Sequence, residues 1–153
     1  MKKDFFKDSR IKFPAYEPWI SNEDKKIVNK TLDQSMLTLG PQLEKFENDF
    51  CKYSKAKYAV AVSNCTAALH LSLMALGIGS NDEVIIPDLT FVADANAVIA
   101  SNAKPVITDI NKKNFFLSIS NIKKNITKKT KAIIPVHIYG QVCNIEEILD
   151  IAK

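Results

Sequence analysis

Hydrophobic positions follow two rhythms along this chain, and the change comes near residue 58. Before it, Leu43, Phe46, Phe50 and Tyr53 recur at helical spacing, which predicts a helix over 42–55 with these four on its buried face. Upstream, Ser21-Asn22-Glu23-Asp24 has the form of a capping box, with Ser21 as N-cap, and predicts a helix to about Gln34. Leu37-Thr38-Leu39-Gly40-Pro41 reads as a loop. Residues 1–19 are irregular. Pro14 and Pro18 punctuate them, and Phe13, Tyr16 and Trp19 are the apolar anchors of an arm that lies on something.

After residue 58, short β-rich apolar runs alternate with helical stretches. The runs predict strands over 58–62, 83–87, 105–109 and 132–137. Between them, helices are expected over 66–76, 91–101 and 118–125, the last with Ile119, Ile122 and Ile126 on one face. Asn144-Ile145-Glu146-Glu147 caps a further helix that runs to Lys153. Strands alternating with helices imply crossover connections, hence an α/β fold with a mostly parallel sheet and helices on both faces. Ligands of such sheets sit at the carboxyl ends of the strands. That places Ser63 to Thr66, Asp88 to Phe91, Asp109 and Tyr139 to Gln141 along one rim.

The stretch from Tyr58 to His70 organises this pattern. It reads as strand, tight turn and helix, and Gly77 stops the helix. At such a junction the N–H groups of Cys65, Thr66 and Ala67 point out of the helix start, where the helix dipole adds positive potential. The Thr66 hydroxyl adds a further donor. The junction is therefore a seat for a phosphate, although plain helix capping is the commoner use of such residues. The Gly-x-Gly-x-x-Gly and Gly-x-x-x-x-Gly-Lys-Ser/Thr spacings are absent, so neither a dinucleotide fingerprint nor a P-loop is indicated.

Composition narrows the function classes. The 153 residues suffice for a domain with a real core, and 46% hydrophobic with 25% charged residues is ordinary for a soluble globular chain. A net charge of +4 is too small to argue for nucleic acid. Residues 111–131 carry Lys112, Lys113, Lys123, Lys124, Lys128, Lys129 and Lys131 and no acid. Without interleaved aromatics this reads as a solvated face rather than a polyanion patch. Asp88, Asp94 and Lys104 interrupt the most apolar region, so no run of membrane-spanning length occurs. The first eight residues hold no apolar core of a signal peptide. Cys51, Cys65 and Cys143 show neither metal spacing nor a disulfide framework, which fits a reducing cytoplasm; Asn64-Cys65-Thr66 and Asn125-Ile126-Thr127 are then chance matches to the glycosylation pattern.

Segments after residue 40 resemble, in order, the DegT/DnrJ/EryC1/StrS family of sugar aminotransferases. They include Gly40-Pro41-Gln42-Leu43-Glu44-Lys45-Phe46-Glu47, Ser63-Asn64-Cys65-Thr66-Ala67-Ala68-Leu69-His70-Leu71, Asp82-Glu83-Val84-Ile85-Ile86-Pro87, Leu89-Thr90-Phe91-Val92-Ala93, Lys104-Pro105-Val106 and Pro135-Val136-His137-Ile138-Tyr139-Gly140-Gln141. Ala15-Tyr16-Glu17-Pro18 with Asn22-Glu23 is similar to the perosamine-synthase-type branch, which aminates GDP-4-keto-6-deoxymannose. The resemblance implies a fold type I, aspartate-aminotransferase-like architecture. Residues 1–40 would form an arm and first helix, and residues 41–153 the first part of the large domain. It also implies pyridoxal 5′-phosphate as cofactor, held at Cys65 and Thr66 through backbone N–H groups and the Thr66 hydroxyl. Phe91 matches the aromatic that stacks on the pyridine ring; its bland alternative is a core aromatic at a helix start. His70 and His137 are expected to be structural, and Asp109 to close a strand. Relatives usually carry Gly where this chain has Cys65. The reading taken is a neutral replacement, with a redox-sensitive thiol at a helix start as the alternative.

The implied reaction needs a Schiff-base lysine and a carboxylate on the pyridine nitrogen. In the family both lie beyond the Val-His-Ile-Tyr-Gly-Gln segment, so no residue here is nominated as catalytic. The expectation is an N-terminal portion, inactive alone, whose uncovered sheet surface favours association. Its parent would move an amino group from a donor such as glutamate to a nucleotide-linked keto sugar, as a cytoplasmic homodimer that engages neither nucleic acid nor membrane. The alternatives are a sugar 3-dehydratase of the same family and a non-catalytic α/β binding or partner module. A receiver-like domain would need acidic residues after its first strand, where Ser63 and Asn64 stand.

Overall fold

Val84 and Ile86 face one side of a central strand and Ile85 the other, and all three are buried. That strand is β1, Glu83–Pro87. It pairs in parallel with β2, Lys104–Thr108, and with β3, Thr130–Ile133, giving the order β2-β1-β3. The computed structural model describes residues 18–153. Phe13, Pro14 and Tyr16 of the expected arm, and Ala15-Tyr16-Glu17 of the branch motif, lie outside them. Burial on both faces is why β1 reads as a continuous apolar run rather than an alternating one.

The sheet belongs to a compact unit spanning Val62–Lys153. Helices α3 (Cys65–Ala75) and α4 (Ala93–Ala100) cover one face, where Leu73, Ala97 and Val98 pack with Val84 and Ile86. Helices α5 (Ile119–Asn125) and α6 (Ile145–Ala152) cover the other, where Ile122 and Ile148 pack with Ile85. The α/β architecture with a parallel sheet and helices on both faces is therefore present. Helix α4 starts two residues later than its expected position at 91, so Phe91 lies in the preceding loop. The strand expected over 132–137 ends at Ile133, although the Ile134 N–H still reaches the Ile85 carbonyl at 2.9 Å.

The turns after α3 and α4 lie side by side. A Cβ on Gly79 would sit 3.7 Å from the Ser101 carbonyl oxygen, and the Lys104 N–H donates to the Asp82 carbonyl at 2.9 Å. Both turns feed strands at their amino ends. The starts of α3 and α4 therefore share the opposite end, where the strands finish.

The expected strand over 58–62 is not one. It belongs to no ladder among the described residues, and Val60 is 81% exposed. A strand needs a neighbour to take its N–H and C=O groups. Here the Ala61 N–H goes instead to Glu47 Oε1, at 2.8 Å.

The described residues up to Ala61 belong to the other unit. Its described part holds α1 (Asn22–Leu32) and α2 (Pro41–Ser54). The capping box is real: the Asp24 N–H donates to Ser21 Oγ at 3.1 Å, and the Ser21 N–H donates to Asp24 Oδ2 at 2.7 Å. The buried face expected on α2 is not found. The Phe46 and Phe50 rings lie 6.2 Å apart, tilted by 44°, yet both are exposed, as are Tyr53 and the expected anchor Trp19. Helical spacing places such residues on one face, but it does not supply the surface that would cover them.

Candidate functional site

Asn64 starts α3 from an extended backbone, with φ −167°. Its Oδ1 accepts the Ala67 N–H at 2.9 Å, and its carbonyl accepts the Ala68 N–H at 3.1 Å. Ala67 is therefore not one of the free donors that the sequence suggested. The N–H groups of Cys65 and Thr66 find no acceptor among the described residues, and both residues are exposed. Two backbone donors and a hydroxyl thus stand at the positive end of an 11-residue helix, and this donor set suits an anion.

Phe91 belongs to the same end of the sheet, in the loop between β1 and α4. It is 77% exposed, so among the described residues it joins no core. Thr90 Oγ1 donates to Asp94 Oδ2 at 2.6 Å. Asp94, in the first turn of α4, is buried beside Ala93, Ala97 and Val98. In the sequence alone, Asp94 stands only as a charge in an apolar stretch. Its four-residue spacing from Thr90, across a strand-to-helix junction, was the available signal.

The rest of the rim is structural in its contacts. The Asp88 N–H donates to the Thr108 carbonyl at 3.1 Å and ties the ends of β1 and β2. Asp109 follows β2 directly, and its carbonyl accepts the Ser118 N–H at 3.3 Å. His137 Nδ1 accepts the Cys143 N–H at 3.1 Å and so closes the loop between them. Within that loop Tyr139 and Gly140 both take positive φ, 53° and 74°, and the Tyr139 ring meets Phe115 edge to face at 6.0 Å. Burial pushes the Cys143 thiol above its ordinary range. His70 is half-buried on α3. The seven lysines between residues 111 and 131 are all exposed, and Lys123 and Lys124 sit in the last turn of α5, where a helix favours cations.

The structure thus brings Cys65 and Thr66 together at one helix start and puts Phe91 at the same end of the sheet. Among the described residues no helix is long and apolar enough to cross a membrane.

Comparison with known proteins gives the same frame. The model of the DegT/DnrJ/EryC1/StrS aminotransferase family matches residues 18–153. The chain is 43% identical over 141 residues to GDP-perosamine synthase of Escherichia coli O157:H7, covering 92% of this chain and 39% of that protein. It is 40% identical over 139 residues to GDP-perosamine synthase of Vibrio cholerae, covering 90% of this chain and 38% of that protein. Among solved structures it resembles Ntda from Bacillus subtilis with bound cofactor PMP, at TM-score 0.81 and 35% identity, over 93% of this chain and 35% of that one. The chain therefore spans well under half the length of these relatives.

Proposed function

The chain belongs to the DegT/DnrJ/EryC1/StrS aminotransferase family, and on that footing we propose that the whole protein is a pyridoxal 5′-phosphate-dependent aminotransferase. Its substrate is a nucleotide-linked keto sugar, and its product an amino sugar for a surface polysaccharide. The architecture is the first part of a fold type I large domain, as the likeness to Ntda supports. The observation that carries the reading is the pair of unclaimed N–H groups at Cys65 and Thr66, beside an exposed hydroxyl, at the end of the sheet that also bears Phe91.

These residues fit the cofactor's two ends. Cys65 and Thr66 would hold its phosphate, and Phe91 would lie against its ring. When bound, the cofactor supplies an electron sink for proton removal at the carbon that carries the amino group. The chain's own part is placement: a phosphate fixed at a helix start sets the ring's distance, and an aromatic face sets its tilt. Cys65 serves here through its backbone, as a neutral replacement. No lysine between residues 1 and 153 is assigned to the chemistry. Similarity to the two GDP-perosamine synthases supports a GDP-linked 4-keto-6-deoxy sugar. We read glutamate as the amino donor, a homodimer as the working form and the cytoplasm as its place.

The test uses the protein at the length of its relatives. It is incubated with GDP-4-keto-6-deoxymannose, pyridoxal 5′-phosphate and nitrogen-15-labelled glutamate. Label in the sugar nucleotide by mass spectrometry supports the reading. A deoxygenated product without label indicates the 3-dehydratase instead, and an unchanged sugar defeats this substrate class.

A further inference from the structure

We propose that Asp94, acting through Thr90, is a positioning residue that presents the Phe91 ring to the cofactor. This rests on the reading of Phe91 given under the proposed function.

The Phe91 side chain is not held by packing. Its ring is 77% exposed, so core packing does not fix it. Val92, at the N-cap of α4, makes no side-chain cap bond. The geometry of the loop comes instead from two bonds that bracket Phe91 and Val92. Thr90 Oγ1 donates to Asp94 Oδ2 at 2.6 Å, and the Asp94 N–H returns to the Phe91 carbonyl at 3.3 Å. One turn on, the Asn96 N–H reaches the Val92 carbonyl at 3.0 Å.

Asp94 is only 6% exposed. A carboxylate that loses its water must be hydrogen-bonded or its burial is costly. Among the described residues the Thr90 hydroxyl is its one side-chain donor. Thr90 therefore cannot swing away without stranding a charge among Ala93, Ala97 and Val98, all of them buried. That constraint fixes the backbone of 90–92 and with it the direction in which the Phe91 side chain leaves the chain. A first-turn acid also suits the helix dipole, but an acid serving only the dipole would gain nothing from being buried under the loop. A stacking face acts best when it is fixed before its ligand arrives.

The test is fluorescence titration of the apoprotein, at the length of its relatives, with pyridoxamine 5′-phosphate, which lacks the aldehyde that would react with lysines. Thr90→Val should weaken binding about tenfold, and Thr90→Ser, which keeps the donor, should stay within about twofold of the parent. Phe91→Ala should lose about as much as Thr90→Val, and the double variant no more than either alone. Affinity for inorganic phosphate should not change, because the phosphate seat is a separate element. In the apoprotein, Thr90→Val should speed amide exchange of 91–93 about tenfold or more. Additive losses, unchanged exchange, or an equal loss of inorganic phosphate affinity would each overturn the proposal. If Phe91→Ala binds like the parent, or the parent does not bind at all, the reading of the site itself fails, and this inference with it. A full Phe91→Ala loss beside a silent Thr90→Val defeats the positioning role alone.

Discussion

The Thr127 hydroxyl donates to the Glu83 carboxylate across 2.6 Å, although 44 residues separate the two. Glu83 opens β1 and is buried, and its other oxygen takes Lys104 Nζ, from the first residue of β2, at 3.1 Å. The Glu83 N–H reaches the Lys129 carbonyl, just before β3, at 2.8 Å. One residue thus ties the amino ends of all three strands. The Thr127 hydrogen bond, with help from Lys104 and Lys129, holds the Glu83 carboxyl below its ordinary range. A carboxyl whose pKa is lower folded than unfolded stabilises the fold fully above the unfolded value, about 4.3, and loses that contribution as pH falls through the folded value. Melting followed by circular dichroism should therefore show Glu83→Gln less stable than the parent at pH 7. The gap should narrow in the acid range below about pH 4.3. A gap of the same size at every pH would show that the charge is not what Glu83 contributes.

The three thiols should be distinguishable by pulsed alkylation with iodoacetamide at neutral pH. Cys65 is exposed, Cys51 half-buried and Cys143 buried. Burial also keeps the Cys143 thiol protonated, and a thiol reacts through its thiolate. Cys65 should label first and Cys143 only in denaturant. Early labelling of Cys143 would mean that the loop closed by His137 opens readily in solution.

Substitutions on β-rich residues should separate core from surface. Ile122 is fully buried against the sheet, so Ile122→Ala should cost about 2–5 kcal/mol in urea unfolding. Val60, in a segment that joins no ladder among the described residues, is 81% exposed. Val60→Thr should stay within about 0.5 kcal/mol. A penalty for Val60→Thr near that of a core residue would show that residues 58–62 are covered in solution.

The contrast between these residues also shows what the sequence could and could not tell. Val84 to Pro87 is legible because a run buried on both faces carries no polar interruption. Tyr58 to Val62 is likewise an apolar run, but pairing depends on a neighbour, and composition does not reveal whether one is there. Phe46, Phe50 and Tyr53 went wrong in the same way: periodicity gives the face and not its cover. The cap at Ser21 and the stop at Gly77 were legible because their partners lie within one turn. At the candidate site, Cys65 and Thr66 stand out through the turn-to-helix pattern and Phe91 through the family resemblance. Asp94 does not, because a buried acid looks like a surface acid until its surroundings are known.

Asn64 and Thr66 stand two residues apart yet should answer differently to substitution. The Asn64 side chain serves the helix: its Oδ1 takes the Ala67 N–H at 2.9 Å. Asn64→Ala removes an N-cap and should lower stability by about 1 kcal/mol. It also releases the Ala67 N–H, so affinity for pyridoxamine 5′-phosphate should hold or rise once the fold is intact. Thr66 is exposed, and its hydroxyl has no acceptor among the described residues. Thr66→Val should therefore leave unfolding nearly unchanged. On the proposed reading it removes one hydrogen bond to the anion, a loss of about 0.5–1.5 kcal/mol or roughly two- to twelvefold in affinity, which Thr66→Ser should restore. If Asn64→Ala abolished binding without loss of stability, the anion would be held by the Asn64 side chain rather than by the helix start. If Thr66→Val bound as tightly as the parent, the backbone of Cys65 and Thr66 would hold the phosphate alone, and the hydroxyl would leave the site.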